Sequence, residues 1–171
     1  RLRRNACTSK LRRSEEVRRG QTPKRPNEPD IKYQSALVAK FINYIMRSGR
    51  KAIARRIVYD SLESAEKKLG KSPLEILEQV IKNAGPDQEL RSRRIGGANY
   101  QIPYPVKPDR RITLALRWVI ETAKSKKGKP MADKLTQELI DAFNNTGLAV
   151  KKKIDTHRMA DANKAFAHFA W

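Results

Sequence analysis

The chain has 171 residues, with 38 Lys and Arg against 18 Asp and Glu, giving a formal net charge of +20. Self-repulsion on this scale destabilises a compact fold unless counter-charge is nearby, so nucleic acid or an anionic membrane is the expected partner. No run approaches the ~18 apolar residues of a membrane span, and no hydrophobic signal segment is expected. The length suits one domain of ordinary size. The single cysteine, Cys7, cannot form an intrachain disulfide, which fits a reducing compartment.

Residues 1–30 are predicted to be an extended basic arm. They hold ten basic and four acidic residues, three prolines and no periodic apolar face. Such a segment cannot bury enough apolar surface to fold alone, so we expect it to be disordered unless bound. The alternatives are a solubilising tail or the remnant of a targeting segment, although the acidic residues argue against the latter.

Residues 31–171 are predicted to form one mainly α domain, a bundle of about six helices. Apolar residues recur at helical spacing, and glycine, proline and capping residues separate the runs. The third helix is marked by Ser72-Pro73-Leu74-Glu75, which offers a capping box and a proline at the first helical position. Asp109 is expected to cap the fourth. The helices are expected at about 35–48, 50–69, 73–84, 109–123, 131–143 and 150–166.

A two-stranded β-hairpin is predicted at about 88–107, between the third and fourth helices. Gly96-Gly97 permits a tight reversal. Pro103 and Pro105 lack N–H groups on one strand edge, so that edge must be unpaired and the intervening residues pair with the outgoing strand. Strands of about eight residues give a ribbon on the order of 25 Å long.

The arginines of this ribbon point to a polyanion. An isolated two-stranded ribbon is barely stable in water. One that carries Arg91, Arg93 and Arg94 towards its tip is best explained by an anionic partner on which it rests. The alternative is a surface hairpin with solvated charges.

Further basic residues fall on helices. Arg110 and Arg111 lie in a predicted first turn, where free N–H groups and the helix dipole already favour an anion. The run 151–153 and Arg158 crowd the last helix, although a solvated face is the favoured interpretation of the lysine run taken alone. These clusters and the ribbon could form one continuous basic surface. Tyr100 and Tyr104 could stack on unpaired bases, or only cover the packed side of the ribbon.

Catalytic and metal-binding patterns are missing from the sequence. His157 and His168 are the only histidines. On one continuous helix they would share a face but lie roughly 16 Å apart, too far for one metal. Gly96-Gly97 lacks the remaining residues of a phosphate-binding loop. We therefore expect no catalytic residue, no metal and no cofactor.

Four strings in the chain closely resemble the family of small-subunit ribosomal protein seven, of the bacterial and organellar type. They are KFINYIM (Lys40–Met46), RSRRIGGANYQIP (Arg91–Pro103), LALRW (Leu114–Trp118) and HRMADANKAFAH (His157–His168). The similarity runs from about Asp30 to Trp171. The resemblance implies the same fold: a helical bundle with a protruding β-ribbon and a basic arm. The arm of this chain departs from the family pattern in its greater length and in carrying Cys7.

The resemblance also implies function. Family members are primary binders of the 3′ major (head) domain of small-subunit ribosomal RNA, with the ribbon near the exit-site transfer RNA and the messenger exit. Neighbouring ribosomal proteins, including protein eleven, are implied partners; a membrane and a homo-oligomer are not. The implied location is a cytoplasmic ribosome or, alternatively, one in an organellar matrix or stroma. The implied ribosomal RNA contacts are Arg1, Arg3, Arg4, Arg12, Arg13, Arg91, Arg93, Arg110, Arg111, Met131, Lys151 and Lys152. The implied tip beside the transfer RNA is Arg94, Gly96, Gly97, Ala98, Asn99 and Tyr100.

The sequence thus predicts a non-enzymatic ribosomal RNA-binding protein that neutralises phosphates with scattered Arg and Lys. An architectural DNA-binding protein with a basic β-arm is the first alternative, and it would be expected to dimerise. An enzyme acting on RNA is the second, and it would need an acid–base or metal cluster that the sequence does not offer.

Overall fold

Six α-helices and one β-hairpin make up most of the described chain, residues 28–169 of a computed structural model. The helices are α1 (Ala36–Ile45), α2 (Lys51–Leu69), α3 (Pro73–Ala84), α4 (Pro108–Ser125), α5 (Met131–Phe143) and α6 (Leu148–Ala162). Strands β1 (Gln88–Ile95) and β2 (Ala98–Pro105) lie between α3 and α4, and a 3-10 helix (Lys164–Phe169) follows α6. The predicted fold class is confirmed. Residues 1–27, most of the predicted arm, lie outside the described residues, so the division at residue 30 stays a prediction.

Helix α5 lies at the centre of the bundle and packs against α2, α3 and α4. Its Leu135 and Leu139 are completely buried, as are Leu62 of α2 and Phe41 of α1. Burying each such side chain stabilises the fold by about 1.5–3 kcal/mol. None of the helices in residues 28–169 is long and apolar enough to span a bilayer.

Local chemistry sets the start of α3 and of α4. The Ser72 hydroxyl accepts a hydrogen bond from the Glu75 N–H (3.3 Å) and Pro73 is the first residue of α3, as predicted. The prediction for α4 was wrong in one detail: Lys107, not Asp109, is the N-cap. The reason is Pro108, whose fixed φ suits the first helical position. An N–H at that position has no acceptor within the helix, so its absence in proline costs nothing.

The last predicted helix is also shorter than expected. It ends at Ala162, and Phe166 lies in the 3-10 helix. The tighter turn directs the rings of Phe166 and Phe169 towards Tyr100 of the hairpin. Contact with a distant segment therefore overrides the helical continuation that the local pattern favours.

The chain enters the described fold at Asp30, which is 5% exposed although the sequence placed it in the arm. Its Oδ2 accepts hydrogen bonds from the Tyr59 hydroxyl (2.7 Å) and from the backbone N–H groups of Lys32 (3.2 Å) and Tyr33 (3.4 Å). The rings of Tyr33 and Tyr59 meet edge to face at 5.6 Å. These contacts fix the entering segment on α2.

The hairpin has the predicted turn and register. Ile95 pairs with Ala98 across Gly96-Gly97, both of which have positive φ. Ile102 pairs with Arg91 and Tyr104 with Glu89, and the Val106 N–H donates to the Asp87 carbonyl (3.0 Å).

The ribbon, however, is not isolated. Ile102 is completely buried, β1 packs against α6, and β2 packs against the 3-10 helix. The premise that the ribbon is isolated is therefore wrong, because the chain's own C-terminal segment supports it. The expectation that its arginines contact a polyanion stays a prediction.

Candidate nucleic-acid interface

Glu89 organises two of the predicted arginines at the base of the hairpin. Its Oε1 accepts hydrogen bonds from Nε (2.8 Å) and Nη2 of Arg91, and its Oε2 accepts one from Nε of Arg110 (3.1 Å). The carboxylate side chain is only 11% exposed, whereas the arginines are 61% and 47% exposed. Burial opposes the charge of Glu89, but both guanidinium groups outweigh it and lower the pKa of this carboxyl. The guanidinium of Arg91 also lies 5.1 Å from the ring centroid of Tyr104.

Asp87 forms a second ionic contact beside the first. Its Oδ1 lies 3.1 Å from Nη1 of Arg111, and its N–H donates to Nε2 of His157 on α6 (3.0 Å). Gly85 makes room for this arrangement, since a Cβ there would lie 2.9 Å from Cγ of Arg111 and 2.6 Å from the Ile81 carbonyl. The first turn of α4, the hairpin base and α6 are thus joined.

The two histidines do not share a helix, contrary to the prediction. His157 lies in α6, while His168 lies in the 3-10 helix with Nδ1 2.8 Å from the Ala165 carbonyl. Within residues 28–169 no group of His, Cys, Asp and Glu could hold a metal ion.

The lysine run of α6 divides into three different roles. Lys152 pairs with Glu121 of α4 (2.7 Å), and its ammonium lies 5.8 Å from the ring centroid of Trp118. Lys153 donates to the backbone carbonyl of Asn83 in the last turn of α3 (3.0 Å), where the helix dipole favours a cation. Lys151 is exposed and has no ion-pair partner in the described part of the chain.

The hairpin tip is exposed, but the residues just below it are held. Residues 96–99 and Arg94 are exposed. Nη1 of Arg93 donates to the Phe169 carbonyl (3.2 Å). The ring centroid of Tyr100 lies 5.1 Å from that of Phe166 and 6.5 Å from that of Phe169. Of the two roles considered for Tyr100, covering the packed side of the ribbon agrees with this geometry.

Met131 is half-buried at the start of α5 and packs against the hydrophobic core.

The basic segment between α4 and α5 contacts the protein interior through Lys126. Nζ of Lys126 lies 2.7 Å from Oε2 of the fully buried Glu138 and 3.2 Å from Oδ2 of Asp141. Burial opposes the charge of Lys126, but the two carboxylates outweigh it and raise its pKa. Oε1 of Glu138 accepts the Ala149 N–H at the start of α6 (3.0 Å).

The structure therefore brings Arg91, Arg110 and Arg111 together at the hairpin base, with α6 packed alongside. Arg1, Arg3, Arg4, Arg12 and Arg13 lie outside the described residues. Sequence reasoning missed Glu89 and the aromatic partners of Tyr100. Glu89 could have been suspected, because it lies two residues before Arg91 on the same face of a strand.

Known proteins resemble this chain over most of its length. The model of the family described as ribosomal protein S7p/S5e matches residues 17–164. Small ribosomal subunit protein uS7 of Chloroflexus aggregans is 54% identical over 152 residues, which cover 89% of this chain and 97% of that protein. The uS7 protein of Thermosipho africanus is 54% identical over 155 residues, covering 91% of this chain and all of that protein. The uS7 protein of Thermotoga neapolitana is 50% identical over 155 residues, which cover 91% of this chain and all of that protein.

Proposed function

We propose, since the chain belongs to the ribosomal protein S7p/S5e family, that it organises the 3′ major (head) domain of small-subunit ribosomal RNA. Membership makes it a small-subunit ribosomal protein of the bacterial type, which binds ribosomal RNA in the ribosome and is not an enzyme. The resemblance seen in the four sequence strings is confirmed. The alternatives of an architectural DNA-binding protein and an RNA-acting enzyme are set aside.

The observation that supports the proposal is the cluster of partly neutralised cations at the hairpin base. Residues 87–111 contain six Lys and Arg against three Asp and Glu, an excess of three positive charges. Ion pairs with Glu89 and Asp87 hold three of these cations in place while their side chains stay 38–61% exposed. Arginines fixed by folding lose little further freedom on binding phosphate, so they suit recognition of an RNA backbone.

The test is binding of the purified full-length chain to a transcript of the head domain. Each neutralised phosphate contributes about 0.7–0.9 to the slope of log affinity against log salt, so a slope of about −5 or steeper is expected. Duplex DNA of equal length should bind more weakly at the same salt concentration. A nearly salt-independent affinity, or equal binding to the DNA, would contradict the proposal.

We further propose that the helical body anchors the protein and that the hairpin tip reaches towards the exit-site transfer RNA, the messenger exit and the neighbouring protein eleven. The exposure of Arg94 and residues 96–99 supports this, because a thin tip offers little area to bury.

Replacing residues 94–99 with Asn-Gly tests the role of the tip. Arg93 and Tyr100 are cross-strand partners, so a two-residue turn can join them and keep the register. The shortened chain should still assemble into small subunits, while transfer-RNA retention and reading-frame maintenance change. Arg110→Ala is the matched comparison, since it should weaken assembly and leave the tip intact. If the shortened chain fails to assemble, the tip is an anchor.

A further inference from the structure

A nearly buried carboxylate is unexpected in the middle of a surface that binds a polyanion. Glu89 is such a group, and its negative charge opposes the binding of phosphate in its neighbourhood. Both of its oxygens are engaged, each by a different arginine. One of these arginines lies on the same strand, and the other lies 21 residues away on α4.

Within residues 28–169, most of the N–H donors of Arg91 and Arg110 have no acceptor. A guanidinium carries five N–H bonds. Arg91 donates through Nε and Nη2 to Oε1, and Arg110 donates through Nε alone to Oε2. Three N–H bonds of Arg91 and four of Arg110 have no acceptor among the described residues, and the two side chains are 61% and 47% exposed.

Tyr104 restrains Arg91 from a second direction. It is the cross-strand partner of Glu89, and its ring lies 5.1 Å from the Arg91 guanidinium carbon. Arg91 is thus held at one edge by the carboxylate and on one face by the ring. The side-chain freedom that a solvated arginine would lose on binding a ligand is already lost when this chain folds.

We propose that Glu89 is a positioning residue, which aligns Arg91 and Arg110 as a two-guanidinium cradle for a backbone phosphate of the RNA. The inference rests on the proposed function, because it assigns the cradle to a phosphate of the head-domain RNA. Two arginines fixed on one carboxylate present forked donors that match a phosphate in geometry as well as in charge. Glu89 itself does not touch the ligand.

The direction in which one substitution changes RNA affinity distinguishes this role from an effect of net charge alone. Glu89→Gln raises the net charge by one, so charge counting predicts tighter binding to any RNA. If Glu89 aligns the cradle, the same substitution weakens binding to the head-domain RNA. The amide of Gln has an acceptor at only one of its two terminal atoms, and its NH2 group would place a donor against the other arginine, so Gln cannot hold both in this arrangement.

The experiment compares the full-length chain with Glu89→Gln on the head-domain transcript and on an unrelated duplex RNA. Glu89→Gln should lower the affinity for the transcript about five- to tenfold, a loss typical of weakened hydrogen bonds between charged groups. Its affinity for the duplex should not fall. Asp109→Asn is the matched control. It removes one negative charge from the exposed first turn of α4, where Asp109 has no ion pair within the described residues, and it should bind as tightly as the unaltered chain or slightly tighter.

A second variant tests the cradle without removing Glu89. Arg91→Lys combined with Arg110→Lys keeps the charge but loses the forked donors. This chain should bind the transcript about as weakly as Glu89→Gln, and adding Glu89→Gln to it should cause no further loss, because contacting residues are not additive. Thermal melts check folding, and the double-lysine variant alone decides the matter if Glu89→Gln does not fold.

Two results would overturn the inference while leaving the proposed function intact. In one, Glu89→Gln binds the transcript as well as or better than the unaltered chain. In the other, the double-lysine variant binds like the unaltered chain. If instead the unaltered chain does not prefer the head-domain transcript to the duplex, the proposed function fails and the cradle fails with it.

Discussion

Replacing Phe166 with Ala should loosen the outer half of the hairpin without unfolding the helical body. The Phe166 ring lies 5.1 Å from that of Tyr100 at an angle of 52°, a geometry in which aromatic pairs contribute about 0.5–1.5 kcal/mol beyond the area they bury. Loss of this ring contact should therefore raise the hydrogen-exchange rates of the amides of residues 93–100 by about 2- to 13-fold. Amides of α2, which has no contact with these rings, should exchange at unchanged rates.

The pairwise part of this effect can be isolated with a double-mutant cycle between Tyr100→Ala and Phe166→Ala. Lys164→Ala is the control, since Lys164 is exposed on the same 3-10 helix and contacts no aromatic ring among residues 28–169. If Phe166→Ala leaves hairpin exchange unchanged, or if the two substitutions are additive, the C-terminal segment does not hold the hairpin and our account of its support is wrong.

Three further predictions concern stability. Gly147→Ala should destabilise the fold by about 1–3 kcal/mol in urea unfolding, because the φ of Gly147, +97°, suits only glycine and an added Cβ would lie 2.9 Å from Cβ of Asp141. Gly128 has a similar φ but open space around it, so Gly128→Ala should destabilise the fold less. Ser72→Ala should cost about 0.5–2 kcal/mol in the same assay through loss of the helix cap. The lowered pKa of Glu89 stabilises the fold above the unfolded-state value of about 4.3, so the stability difference between the unaltered chain and Glu89→Gln should shrink as pH falls below it.

Elements set by local chemistry were predictable from the sequence. The cap at Ser72, the proline that begins α3 and the Gly96-Gly97 turn each act on adjacent residues, so the pattern alone reveals them. The end of α6 was not predictable in this way. The local pattern predicts a helix that continues through Phe166, whereas in the structure Phe166 packs against Tyr100, 66 residues away.

The candidate site shows the same division. Composition and spacing predicted that arginines at the ribbon and at the start of α4 would matter. They did not reveal that Arg110 and Arg91 share a carboxylate, because that pairing depends on how α4 returns to the hairpin base. The lysine run of α6 was treated as one cluster, although Lys153 caps α3 and Lys152 pairs with Glu121.

The buried carboxylate of Glu138 affects how a mutational scan of the basic residues should be read. It holds the Lys126 ammonium through one oxygen and the first turn of α6 through the other. Removing Lys126 leaves a buried charge uncompensated, and the disturbance reaches α6 through the Ala149 N–H. Lys126→Ala would thus lower RNA affinity through the fold, although the ammonium contacts the carboxylates of Glu138 and Asp141 and not the ligand. Affinity measurements alone would wrongly assign Lys126 to the RNA contacts. A melting curve of the same variant would reveal the loss of stability and correct the assignment.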